Sequence, residues 1–153
     1  MANKHTDINL VLRRALDSQR LGRFKQAEEL YGAVLQLDPA NFDALQLLGL
    51  CHYQNNQLDK ALDRLNAALA RRRDVASVFN HRGIVLKALQ RNHEALADFD
   101  AALALKEDFA DACFNKANTL VAVGEPERAM VLFERAARLQ PNDVRYLNNI
   151  ASC

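Results

Sequence analysis

Apolar residues fall three and four apart along much of the chain, the spacing that gathers them on one stripe of a helix. Read with the intervening breaks, this pattern predicts helices over 8–20, 24–37, 42–54, 58–71, 76–89, 93–105, 110–122, 127–139 and 143–152. The breaks are short: Gly22, Asn55-Asn56, Gln90-Arg91-Asn92 and Gly124-Glu125-Pro126. Pro126 suits a first helical turn, where its missing N–H costs nothing. Asp38-Pro39, Asp74, Glu107-Asp108 and Gln140-Pro141-Asn142-Asp143 supply stop and N-cap chemistry at the longer joints. No room is left for a sheet.

The pattern also repeats. Setting Ile8–Asn41 above Phe42–Val75, Ala76–Phe109 and Ala110–Asp143 aligns four blocks of 34 residues without a gap. Position 8 reads Ala15, Gly49, Gly83 and Ala117, and position 20 reads Ala27, Ala61, Ala95 and Ala129. Position 24 holds Tyr31, Leu65, Phe99 and Phe133, and position 27 holds Val34, Ala68, Ala102 and Ala136. Small residues at 8 and 20 let two helix backbones approach closely, and the large side chain at 24 fills the space beside them. Each block is therefore a hairpin of helix A and helix B. One hairpin cannot bury both its faces, so hairpins stack into a solenoid with a continuous core.

The period and these columns resemble the tetratricopeptide repeat, whose pattern is W-x2-L-G-x2-Y…A-x3-F…P. The resemblance covers 8–153 and is closest to bacterial-type repeats. It implies an all-α fold, a right-handed solenoid of antiparallel helix hairpins with four repeats and a partial fifth helix A. The organisation is then a leader, 1–7, and a repeat domain, 8–153, divided at 8–41, 42–75, 76–109, 110–143 and 144–153. Position 4 departs from the pattern, with Val11, Leu45, Phe79 and Cys113 where Trp is usual. Position 7 is Arg14, Arg82 and Lys116 in three blocks; their stems are expected to cover apolar surface while the charged heads reach water. The chain stops in mid-pattern, which suggests the N-terminal region of a longer protein.

Charge and cysteine narrow the function. Twenty Lys and Arg against nineteen Asp and Glu leave +1, without the clustered basic excess through which nucleic-acid modules bind phosphate. Arg71-Arg72-Arg73 is followed directly by Asp74 and reads as a solvated loop. Cys51, Cys113 and Cys153 form no CxxC pair and leave an odd thiol, which suits a reducing cytoplasm. Met1–Asp7 has no apolar signal core, and no apolar run approaches the ~20 residues of a membrane helix. A soluble cytoplasmic protein is expected.

Catalytic and metal chemistry find no signature. There is no phosphate loop, no nucleophile elbow and no H-E-x-x-H; Asn92-His93-Glu94-Ala95-Leu96 lacks the second histidine. Adjacent Cys51 and His52 could draw a metal, but His52 stands at a core position, so packing is the better reading. Asp98 and Asp100 read as solvated helix charges rather than an acid/base pair. No catalytic residue, metal or cofactor is expected.

The family resemblance implies that positions 2, 5, 6, 9, 12 and 13 of helices A face a concave groove. In the first block these are Asn9, Leu12, Arg13, Leu16, Gln19 and Arg20, and in the second they include Leu47, Leu50, Tyr53 and Gln54. The third and fourth contribute Asn80, His81, Ile84 and Lys87, then Phe114, Asn115 and Asn118, and the tail adds Asn149. Leu12, Leu16, Leu47, Leu50, Tyr53, Ile84 and Phe114 form an apolar strip, which either marks a partner site or is covered in part by neighbouring helices A. The asparagines both donate and accept, so a row of them could hold an extended peptide backbone. The residues of a chaperone-tail clamp are absent: the equivalent positions hold Leu12, Leu16, Leu47, Ser77 and His81. The expected function is a non-catalytic scaffold that binds a protein or peptide segment along the groove. The alternatives are the substrate-recruiting repeats of a larger enzyme, such as one like the O-linked N-acetylglucosamine transferases, or self-association through the open side of Val144, Leu147 and Ile150.

Overall fold

The computed structural model describes residues 2–145, and among them the secondary structure is wholly helical: α1 (Ala2–Arg20), α2 (Phe24–Leu37), α3 (Phe42–Gln54), α4 (Leu58–Arg71), α5 (Ala76–Ala88), α6 (Asn92–Leu105), α7 (Ala110–Ala122) and α8 (Pro126–Leu139). Seven of the eight coincide with the sequence expectation or differ from it by one residue at one end, α2, α3, α4 and α7 being identical. The large difference is α1, which reaches back to Ala2 instead of starting at Ile8. Its leader has no Gly or Pro, so nothing stops a packed helix from propagating backwards, where each added residue gains a hydrogen bond. The ninth helix, expected over 143–152, lies almost wholly outside the described residues.

Contacts divide the chain into two units, Met1–Arg73 and Asp74–Cys153. In the first, α1 pairs with α2 and α3 with α4, while α2 packs on α3 and α1 lies beside α3. In the second, α5 pairs with α6 and α7 with α8, α6 packs on α7, and α5 lies beside α7. Each unit thus has two helices A side by side and two helices B behind them.

The turn inside every hairpin is the same. Position 15 has positive φ in all four repeats: Gly22 at 72°, Asn56 at 56°, Gln90 at 62° and Gly124 at 84°. The following amide then bonds back to the last turn of helix A, Arg23 to Ser18, Gln57 to His52, Arg91 to Leu86 and Glu125 to Leu120, at 2.8–2.9 Å. This is the Schellman closure, which satisfies carbonyls the helix end would leave orphaned. Capping at the helix starts is sparser than expected. Asn41 accepts from the amide of Ala44 at 3.0 Å, but α5 and α7 start after Val75 and Phe109 with no side-chain cap. Neither residue carries a side-chain acceptor, and packing stabilises those helices instead.

The core follows the columns. Ala27, Ala61, Ala95 and Ala129 are fully buried, as are Tyr31, Leu65 and Phe99. A Cβ on Gly49 would lie 2.8 Å from Cγ of Leu65, and one on Gly83 would lie 2.6 Å from Cε1 of Phe99. In the second and third repeats helices A and B are therefore in contact at position 8 with no space for a methyl group.

Two substitutions test this account by urea unfolding. Gly83→Ala should destabilise by about 1–3 kcal/mol, because overpacking forces the Phe99 ring or the backbone to shift. Gln90→Gly should stabilise by about 0.5–1 kcal/mol, because a non-glycine residue is strained in the left-handed region.

Candidate functional site

In the first unit the face of α1 and α3 carries the predicted apolar strip. Leu12 and Leu47 are half-buried and pack on the cluster of Ala15, Ala27, Tyr31, Leu48 and Cys51. Leu16, Leu50 and Tyr53 are also half-buried. Leu16 and Leu50 form walls of a hollow that Gln19, Arg20, Gly22, Phe24 and Gln54 complete. The strip is thus both things at once: its inner edge covers the core and its outer edge stays open.

The second unit is more polar. Asn80 is buried, and its Oδ1 accepts from Nδ2 of Asn115 at 3.0 Å. Asn80 therefore holds Asn115 in place across neighbouring helices A. Nδ1 of His81 is enclosed and has no hydrogen-bond partner among the described residues. Burial draws the His81 pKa below its ordinary value, against the pull of Asp111, so the imidazole is neutral at neutral pH. Ile84 and Lys87 are half-buried on the same face of α5, and burial lowers the Lys87 pKa. Phe114 packs on both clusters of the unit and meets Phe133 edge-on, with centroids 5.7 Å apart. Arg145 bonds to Asp111 at 3.2 Å and lies over the Phe114 ring at 5.9 Å, a contact the sequence reading missed. Asn118 is half-buried. Val144 is 66% exposed; Leu147, Asn149 and Ile150 lie outside the described residues.

Several expectations about chemistry change. Asp98, read as solvated, is buried. Its carboxylate accepts two bonds from Arg82, from Nε at 2.7 Å and Nη2 at 2.6 Å. Asp100 is exposed but binds Lys116. Arg82 and Lys116 therefore do more than shield apolar surface: they reach acids on helix α6, because a helix-A side chain of that length spans to helix B. Arg71 belongs to α4 rather than to a loop, and Arg72 lies over the Phe42 ring at 4.9 Å.

Cys51 is fully buried, its Sγ 3.8 Å from the carbonyl of Phe24, and burial pushes its pKa up to about 11. Cys113 is buried and raised in the same direction. Thiols held protonated in this way are poor nucleophiles. Nδ1 of His52 is 2.8 Å from Oε1 of Gln57, so that ring nitrogen carries the proton. Among the described residues no group of three His, Cys, Asp or Glu is placed to hold a metal ion. Among them, too, no helix is long and apolar enough to cross a membrane.

Stacked helix hairpins of one length, with a part-open face on helices A, define an α-helical repeat protein. The family profile of the tetratricopeptide repeat matches residues 18–80 and 86–153, and the chain belongs to that family. It is 35% identical over 112 residues to a peroxisomal targeting signal receptor of Candida albicans, covering 71% of this chain and 19% of that protein. It is 24% identical over 135 residues to the protein O-mannosyl-transferase TMTC1 of Mus musculus, covering 86% of this chain and 14% of that one. The chain thus spans a fifth or less of the curated relatives it matches. Among solved structures, pilF of Pseudomonas aeruginosa superposes with a TM-score of 0.88 at 22% identity, over 95% of this chain and 66% of that one. MamA superposes with a TM-score of 0.81 at 22% identity, over 89% and 80%. These two likenesses concern the fold.

The Arg82–Asp98 pair gives a direct test of burial. Asp98→Ala should cost about 2–3 kcal/mol, since it removes the carboxylate paired with a guanidinium whose side chain is only 25% exposed. Asp100→Ala should cost under about 1 kcal/mol, as surface pairs do. Equal losses in urea unfolding would contradict the assignment.

Proposed function

We propose that this protein is a non-catalytic scaffold that binds a protein or peptide segment on the faces of its helices A. The observation that carries the reading is the half-open strip of Leu16, Leu50 and Tyr53 in the first unit, an apolar surface with polar neighbours and no covering element among the described residues. Family membership supports it, as does the similarity to a receptor that by its name recognises a targeting signal. In the second unit Asn115 offers the rest of its amide to a peptide backbone beside Ile84 and Lys87. A cytoplasmic setting suits the two buried free thiols.

A second reading has one observation behind it. The similarity to an O-mannosyl-transferase covers 86% of this chain, and repeats in such a protein would recruit substrates for a catalytic region elsewhere. Self-association through Val144 is a third, and sedimentation velocity under reducing conditions distinguishes it by the appearance of a dimer with rising concentration.

The test compares three truncations for stability and for proteins captured from lysate. Tyr53→Ala should lower capture while costing less than about 1 kcal/mol, as substitutions outside the core do. Phe114→Ala should lower capture and also cost about 1–3 kcal/mol, because its ring is edge-on to Phe133. Phe99→Ala should cost about 3–5 kcal/mol. Capture that is unchanged by Tyr53→Ala and falls only in step with stability would overturn the reading.

A further inference from the structure

The hollow of the first unit has a chemistry that its apolar outline does not reveal. Tyr31 is fully buried, and its Oη lies 2.8 Å from Oε1 of Gln19. Nε2 of Gln19 lies in turn 2.7 Å from Oε1 of Gln54. The direction of this chain is set at its buried end. Burial pushes the Tyr31 pKa up, so the phenol keeps its proton. A phenol that only accepted would leave that proton unpaired in the interior, at the full cost of its desolvation. Tyr31 therefore donates, Gln19 turns its carbonyl oxygen inward, and the Gln19 amide donates to Gln54. Gln54 then accepts from below and presents its NH2 at the surface.

Arg20, the last residue of α1, stands at the same hollow. It is exposed, and no described acid pairs with it. Its guanidinium has donors only. One end of the hollow is therefore rich in donors and positively charged, while Leu16, Leu50 and Phe24 make the other walls apolar.

We propose that this hollow is a subsite for an acidic side chain, Asp or Glu, on a peptide whose neighbouring apolar side chain seats between Leu16 and Leu50. The proposal rests on the reading of the helix-A faces as a protein-binding surface and adds the polarity of one place on it. A lysine or arginine of the partner meets a like charge and N–H groups there. A carboxylate meets a guanidinium and the NH2 of Gln54, whose oxygen is the atom already engaged inside.

The experiment pans a phage-displayed library of random twelve-residue peptides on the full chain and on Arg20→Ala, Arg20→Glu and Tyr53→Ala. Arg20 is exposed, so its replacement leaves the core untouched. Peptides recovered on the native protein should carry Asp or Glu beside Leu, Ile, Met or Phe about threefold above the starting pool, the size of effect an exposed ion pair supplies. That enrichment should vanish on Arg20→Ala and give way to Lys or Arg on Arg20→Glu. As a second measurement, Tyr31→Phe should weaken binding of a recovered acidic peptide more than binding of its Gln counterpart, because it releases the Gln19–Gln54 chain. Acid enrichment that survives both Arg20 variants overturns the subsite. Recovered peptides that depend on Tyr53 but show no acid preference also overturn it, and leave the scaffold reading standing. Failure to recover any peptide that depends on Tyr53 removes both.

Discussion

Everything in this protein depends on how closely helix A approaches helix B at position 8 of each repeat. A Cβ on Gly83 would sit 2.6 Å from the Phe99 ring, so the large side chain at position 24 occupies the space that the small one leaves. Once that contact forms, the hairpin's crossing is fixed, and the stripe of positions 20, 24 and 27 is carried into the core. Ala15 and Ala117 take the same place beside Tyr31 and Phe133. The adjustment is local: glycine where the approach is tightest, alanine where it is looser. Interiors packed to crystal-like density leave little other choice.

This constraint explains why the fold was legible in the sequence. Close packing demands a residue of given size at a given position in every hairpin, so it writes a register that repeats every 34 residues. Turn geometry writes a weaker one. Position 15 requires the left-handed region in all four repeats, yet Gly22, Asn56, Gln90 and Gly124 fill it. A strained non-glycine is tolerated because the Schellman bonds on either side hold it. The start of α1 was misread because no pattern marks the end of an amphipathic helix whose next residues are merely polar. The burial of Asp98 was illegible for another reason: the identity of a charge gives no sign of its exposure, and only the reach of Arg82 across the hairpin decided it.

The candidate site was legible as a set of positions and not as a set of contacts. Gln19 and Gln54 stand 35 residues apart, as do Asn80 and Asn115. One amide of helix A therefore meets an amide one step beyond the repeat on the next helix A, and the same rule serves both units. A column-by-column reading compares residues 34 apart and so passes over this diagonal. Its consequence is that some side chains read as free for a partner are already engaged. Asn80 is a support for Asn115, and Phe114 belongs as much to the core as to the surface.

Those internal bonds are also what give the open faces their character. An amide has an oxygen with two lone pairs and an NH2 with two hydrogens, so one internal bond shifts the balance of what is left outside without exhausting either group. In the first unit the buried Tyr31 proton consumes the carbonyl of Gln19, and the order passes outward until donors face the hollow. In the second, Asn115 donates to Asn80, so that bond leaves the acceptor side of the Asn115 amide uncommitted. The two units share a repeat, a turn and a packing rule, yet the amide–amide hydrogen bond between their helices A runs in opposite senses, from Gln19 to Gln54 in the first and from Asn115 to Asn80 in the second. Specificity in such a scaffold then need not come from residues that touch the partner alone. On the proposed reading, a single buried hydroxyl, invisible from the surface, biases which chemistry the hollow of the first unit would hold.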